Sequence, residues 1–182
     1  MIEVRSTRIP GCFELQPRIV GDQRGHFVKV FNHSAFVTNG LETAFAEEYY
    51  SVSHRGVIRG LHFQIPPKDH VKMVYCVAGQ VLDVVVDLRR RSPTYGQFDL
   101  MELSAMKANC IYIPKGLAHG FCVISETATL IYKVSTVYAP EHDTGIHWNS
   151  VAIPWPLSNP ILSARDCTFP ALAEFDSPFS YD

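Results

Sequence analysis

The chain has 182 residues, of which 47% are hydrophobic and 19% charged, enough to bury a sizeable core and too few for two full domains, so one domain over residues 1–182 is expected. Its 16 basic and 18 acidic residues give a net charge of -2 without long single-sign runs, the longest basic cluster being Arg89, Arg90 and Arg91, which sets nucleic acid aside as a partner. No stretch approaches the roughly 20 apolar residues of a membrane helix, and Glu3 and Arg5 stand where a secretory leader would be apolar, so no membrane is expected and the cytoplasm is the expected location.

Short segments rich in Val, Ile, Phe and Tyr recur about every ten residues between Gly, Pro, Asn and Asp, the spacing of an all-β sandwich or barrel. Strands are predicted at residues 26–31, 45–53, 57–63, 71–77, 80–88, 98–103, 110–113, 119–124 and 129–138. Segments 71–77 and 80–88 flank Ala78-Gly79 and read as a hairpin, the second with Leu82, Val84 and Val86 alternating against Asp83, Val85 and Asp87. Pro93 and Gly96 make residues 91–96 a connecting loop. Beyond Trp148, the prolines Pro154, Pro156, Pro160 and Pro170 predict irregular segments that wrap the sandwich, with a short helix near residues 159–166. The cysteines Cys12, Cys76, Cys110, Cys122 and Cys167 lack CxxC spacing and mostly sit in apolar runs, which marks them as reduced core residues.

The spacing Pro114-x-Gly116-x-x-His119, with an upstream strand ending at Gly79, resembles the cupin double-stranded β-helix, a jelly roll with irregular N- and C-terminal extensions. Metal-binding cupins supply His-x-His, then Glu, then a later His. Here the pair reads His62-Phe63-Gln64, and Lys72 occupies the acidic position. An ammonium cannot ligate a cation and an amide oxygen is a poor substitute for imidazole, so neither a metal nor another cofactor is expected.

The run Gly56-Val57-Ile58-Arg59-Gly60-Leu61-His62-Phe63-Gln64 resembles the signature of the dTDP-4-dehydrorhamnose 3,5-epimerase family, a metal-free branch of the cupins. The segments 22–27, 87–89, 92–96, 113–121, 132–140 and 162–166 follow in the family's order, so the resemblance covers nearly the whole chain. It implies an isomerase that inverts C3, C5 or both in a nucleoside-diphosphate 4-keto-6-deoxy sugar, supplying a deoxysugar for a cell-surface polysaccharide such as a lipopolysaccharide O-antigen. It further implies a homodimer with a shared nucleotide site. By the same resemblance His62 is the base, Asp166 its carboxylate partner and Tyr132 the acid on the far face of the sugar. Arg24, Arg59 and His119 are implied to bind sugar or diphosphate, and Tyr138 to be an aromatic platform beside them.

The residues themselves say what such chemistry needs. A hydrogen beside a ketone becomes an enolate when removed, and an ordinary imidazole is about 13 powers of ten too weak a base, so the free enolate would cost roughly 18 kcal/mol. That would hold turnover near one per second or below. A cation beside the carbonyl oxygen is therefore required, and Lys72 is the candidate.

The sequence departs from the family at the nucleotide-recognition positions, where Lys29 stands for Glu and Glu47-Glu48-Tyr49 for Gln-x-Asn. Lys only donates and ionised Glu only accepts, so the hydrogen bonds to the base must differ, whether by Lys29 pairing with Glu47 or by a CDP- or GDP-linked substrate. A C3-only or C5-only epimerase and a non-catalytic sugar-nucleotide-binding cupin are the alternative readings.

Overall fold

The computed structural model describes residues 2–181. The chain winds into two antiparallel sheets that face one another as a cupin jelly roll. One sheet runs, in spatial order, β1 (Ile2–Ser6), β2 (Phe13–Pro17), β10 (Cys110–Ile113), β7 (Lys72–Ala78), β12 (Thr127–Val134) and β5 (Glu47–His54). The other runs β13 (Asp143–Gly145), β6 (Ile58–Gln64), β11 (Leu117–Val123), β8 (Gln80–Asp87) and β9 (Phe98–Ser104). A separate hairpin, β3 (Ile19–Asp22) with β4 (Gly25–Val28), stands apart from both sheets.

Period-2 alternation sorts the side chains into three apolar layers. Between the sheets lie Val74 and Cys76 of β7, Val81 and Val85 of β8, Phe121 of β11 and Leu130 of β12. On the outer face of the five-stranded sheet, Leu61, Phe63, Val84 and Val86 are covered by Ile146, Ile153 and Phe179 of the C-terminal wrap. On the outer face of the six-stranded sheet, Met73 and Tyr75 pack beneath Phe36 and Leu41. Phe36 belongs to the short helix α1 (His33–Thr38), whose Asn32 cap accepts from Ala35 N at 3.0 Å. Because both faces of these strands are covered, their sequences read as nearly continuous apolar runs.

The expected hairpin of residues 71–77 and 80–88 does not form. β7 pairs with β10 and β12, while β8 pairs with β9 and β11. The Ala78-Gly79 step instead carries the chain from one sheet to the other. Gly79 has φ +80°, and a Cβ there would lie 2.6 Å from Ser125 Oγ and 3.0 Å from Ala128 Cα. The crossing lets the odd residues of β8 face the even residues of β7 across the interior, which two strands of one sheet cannot do.

Other expectations shift. The predicted strand at 26–31 is confined to Gly25–Val28, and that at 129–138 stops at Val134. The short helix near 159–166 is absent among the described residues, and 3-10 turns occupy Asp166–Thr168 and Leu172–Glu174. Cys12, Cys76, Cys110 and Cys122 are free and buried, but Cys167 is exposed. No helix of the described residues is long and apolar enough to cross a membrane.

Candidate active site

The interior of the jelly roll opens at one end into a cavity of about 450 Å³, lined among others by Glu47, Tyr49, Arg59, His62, Lys72, His119, Tyr132 and Tyr138. Each arrives by a local cause. On β5 the alternation Glu47, Tyr49, Ser51 points inward, while Tyr50 and Val52 on the opposite face are exposed. On β7 Lys72 shares the inward face of Val74 and Cys76, and on β12 Tyr132 shares that of Leu130 and Val134.

His62 and Arg59 are three positions apart, and strict alternation would send them to opposite faces. The register of β6 against β11 steps from His62↔His119 to Arg59↔Phe121, so β6 carries one extra residue there. This bulge brings both side chains to the cavity. It relies on Gly60, at φ +133°, where a Cβ would lie 2.6 Å from Gly120 Cα and 2.9 Å from His119 O.

Asp166, on the 3-10 turn of the C-terminal wrap, meets His62 Nε2 through Oδ1 at 2.8 Å and accepts from Gly60 N through Oδ2 at 3.2 Å. Burial pushes its carboxyl up, but the bonds from His62, Gly60 N and Ser163 prevail and hold it below the usual range. An ionised Asp166 only accepts, so Nε2 of His62 carries the proton and Nδ1 keeps a free lone pair. Phe169 packs edge-on against the imidazole, 5.7 Å between ring centres.

On the opposing sheet the Tyr132 hydroxyl bonds Ser51 Oγ at 2.9 Å, and its ring stacks on Tyr49 at 4.9 Å. Burial raises its pKa well above the ordinary tyrosine value, so the hydroxyl keeps its proton. Lys72 is 8% exposed, and among the described residues no hydrogen bond or ion pair reaches its ammonium. Burial lowers its pKa to about 8, with Asp143 and Asp83 opposing. Asp143 faces the same cavity and is held by Arg165 at 2.6 Å.

His119 is 4% exposed and its Nε2 meets Asp83 Oδ2 at 2.9 Å. Burial pushes the imidazole down and the Asp83 carboxyl up. Arg59 donates from Nε to Ser53 Oγ at 2.8 Å. Tyr138, outside any strand and 58% exposed, stands at the mouth, with its backbone N donating to Glu47 Oε1 at 3.0 Å.

Two candidates are not brought to this cavity. Arg24 sits on the β3–β4 turn, paired with Asp22, and Lys29 is exposed just beyond β4. The pairing of Lys29 with Glu47 does not occur within the chain, where Glu47 bonds the Tyr138 amide and Glu48 pairs with Lys133 at 3.0 Å. The hairpin that carries Arg24 pairs with neither large sheet, and neither Arg24 nor Lys29 lines the cavity.

Sequence reasoning missed Ser51, Asp83, His70 and Asp143. The β5 alternation that exposes Glu47 and Tyr49 would also have found Ser51, and a carboxylate inside the apolar strand 80–88 marks Asp83. His70 and Asp143 lie at strand edges without a periodic signal.

The model of the dTDP-4-dehydrorhamnose 3,5-epimerase family matches residues 6–174. The dTDP-4-dehydrorhamnose 3,5-epimerase of Shigella flexneri is 41% identical, over 91% of this chain and 93% of that protein. A dTDP-4-dehydrorhamnose 3-epimerase of Streptomyces niveus is 40% identical, over 95% of this chain and 85% of that protein. The crystal structure of dTDP-6-deoxy-D-glucose-3,5-epimerase from Legionella pneumophila in complex with dTDP-4-keto-L-rhamnose superposes with a TM-score of 0.95 at 36% identity, covering 100% of each chain.

Proposed function

The chain belongs to the dTDP-4-dehydrorhamnose 3,5-epimerase family, and on that premise we propose that it is an isomerase that inverts the carbons flanking the ketone, C3 and C5, of a dTDP-4-keto-6-deoxy sugar. The observation that carries this reading is that His62 and Tyr132 rise from opposing sheets into one cavity. Inversion needs a proton taken from one face and returned to the other, and opposing walls supply that arrangement.

In this mechanism His62 Nδ1 removes the hydrogen beside the carbonyl. Asp166, which fixes the tautomer, stabilises the imidazolium that results. Lys72 holds the enolate oxygen in a medium of low dielectric, where a fixed charge acts strongly. Tyr132, kept protonated by burial, returns a proton from the far side, and Ser51 steadies its hydroxyl. The same groups serve C3 and C5 as the ring tilts. Arg59 takes the diphosphate.

Arg24 and Lys29 reach the nucleotide from a partner protomer. Ile19, Val20 and Phe27 of the hairpin and Tyr50 and Val52 of the edge strand β5 are exposed apolar residues, which supports a homodimer formed across these surfaces. Light scattering should give twice the chain mass, and a monomer would contradict the shared site. Nucleotide sugars are made where nucleotides are, so the reading carries a cytoplasmic location and a role in cell-surface deoxysugar synthesis.

The test is deuterium uptake. A dTDP-4-keto-6-deoxyhexose incubated in heavy water with the enzyme should gain deuterium at C3 and C5, and His62→Asn should abolish both while leaving the fold intact. Uptake at C3 alone would assign a 3-epimerase, as the Streptomyces relative is named. Turnover of CDP or GDP analogues in its place would move the base specificity. No uptake with any of the three would overturn the enzymatic reading.

A further inference from the structure

His70 belongs to none of the roles above, yet it lines the cavity beside Lys72 and also a small recess behind it. Its tautomer follows from the amide of Gln64, whose orientation is fixed by two backbone groups. Ala139 N can only donate, and it meets Oε1 at 2.7 Å. Lys68 O can only accept, and it meets Nε2 at 2.7 Å. The Gln64 nitrogen is therefore the atom that lies 3.3 Å from His70 Nδ1; an amide nitrogen cannot accept, and its second hydrogen is shared between Nδ1 and Val137 O at 3.4 Å. His70 Nδ1 thus bears no proton, and in the neutral ring the proton sits on Nε2.

The surroundings keep the ring neutral. Burial is the main influence, and the Lys72 and Lys115 ammoniums, with the His119 ring, add to it, lowering the pKa of His70 to about 3. Among the described residues Nε2 has no hydrogen-bond partner, and it is not among the sealed polar atoms left without one. His70, which lines the cavity, therefore carries a free N–H donor on the nitrogen opposite the occupied one.

We propose that His70 is a sugar-recognition residue, its Nε2–H donating to the oxygen vicinal to the carbonyl that Lys72 holds, with Gln64 as the residue that sets its tautomer and position. His70 and Lys72 are two residues apart at the entry to β7, which suits neighbouring oxygens on one pyranose. Gln64 also binds both sides of the cavity mouth, since Lys68 O precedes His70 and Ala139 N follows Tyr138. This inference rests on the proposed reaction and deepens it, naming the contact that reads the sugar apart from the nucleotide.

The experiment compares wild-type enzyme with His70→Phe, which keeps a ring of similar size without an N–H, and with His70→Gln, which keeps a neutral donor and acceptor. Wild-type deuterium uptake is measured first, because its absence would refute the proposed reaction and not this contact alone. With uptake established, His70→Phe should lower kcat/KM for the sugar nucleotide about tenfold, the worth of one lost neutral hydrogen bond. His70→Gln should restore most of it, and the affinity of dTDP, which lacks the sugar, should be unchanged in both. Wild-type kcat/KM in His70→Phe, or an equal loss of dTDP affinity, would overturn the assignment. If His70→Phe does not fold, a His70→Gln enzyme with tenfold lower kcat/KM and wild-type melting would overturn it also.

Discussion

Replacing Lys72 with Met should make the protein more stable and nearly inactive. The two side chains are similar in length, so packing is conserved and the change is chiefly one of charge. Lys72 is 8% exposed and its ammonium unpaired among the described residues. Burial depresses its pKa from 10.5 to about 8, which corresponds to about 3 kcal/mol of destabilisation. The sign follows from linkage. Below pH 8 the folded and unfolded chains both carry the proton, but the folded chain holds it less tightly, so the penalty is present in full. Between about pH 8 and 10.5 the unfolded chain binds more protons, and wild-type stability gains on the variant as pH rises. At pH 7 Lys72→Met should gain up to about 3 kcal/mol, or about 6–12 °C in Tm for a chain of this size. Uptake at C3 and C5 should fall at least about a thousandfold, because Lys72 is the cation that the proposed mechanism sets beside the enolate oxygen. Melts by circular dichroism from pH 6 to 10, run beside the exchange assay, read both effects. A variant that melts below wild type at pH 7, or exchanges within tenfold of it, would refute the reasoning.

The remaining expectations separate the steps. Tyr132→Phe should lose inversion by about a hundredfold or more while still exchanging hydrogen at C3 or C5 with retention, since the base survives. NMR of the recovered sugar distinguishes the two products, and loss of all exchange would make Tyr132 part of the proton removal itself. Asp166→Asn should lower kcat about a thousandfold, because an amide no longer selects the tautomer with Nδ1 free, and near wild-type turnover would show that Gly60 and the strand alone orient His62. Gly60→Ala should destabilise by about 2–4 kcal/mol, since the added methyl meets Gly120 Cα at 2.6 Å. Unchanged denaturant midpoints in that variant would mean that β6 and β11 can separate without penalty.

Much of the barrel was legible because its strands follow period-2 or apolar-run patterns between turn residues. The strands from 98–104 and 110–113 lie within a residue of their predicted bounds for that reason. The N-terminal strands β1 and β2 do alternate, as Ile2-Glu3-Val4-Arg5 and Phe13-Glu14-Leu15-Gln16, but each has only five residues, and what places them in the sheet is the pairing of β1 with β2 and of β2 with β10, which no local pattern reveals. The false hairpin at Ala78-Gly79 has the same origin. A tight turn and a sheet crossing use the same glycine, and only the register of four other strands decides between them. In the site, His62, Lys72 and Tyr132 lie on inward faces of regular strands, and the motif around His62 points to it directly. The convergence of Arg59 with His62 was named from the resemblance but has no signal in the strand alternation, because it depends on one extra residue in β6. Asp166 could be named through family likeness alone, being more than a hundred residues from its partner in the chain.

On the proposed mechanism, the cavity also accounts for a lysine standing where a metal-binding cupin carries a ligand. A cupin metal would require four ligands near positions 62, 64, 72 and 119. Here the amide of Gln64 is already committed on both ends, to Ala139 N and Lys68 O, and His119 is committed through Nε2 to Asp83. Lys72 then stands without a partner among the described residues, and on the proposed mechanism the burial that makes its charge unfavourable also makes its field strong where the enolate oxygen would form. An exposed lysine in the same place would be more stable and a poorer catalyst, since water would screen it. On that mechanism activity should fall as pH rises through about 8, where the ammonium is lost and the enolate would lose its counter-charge, whatever the state of the base. A group of this kind gains its effect on the reaction from the same desolvation that weakens the fold.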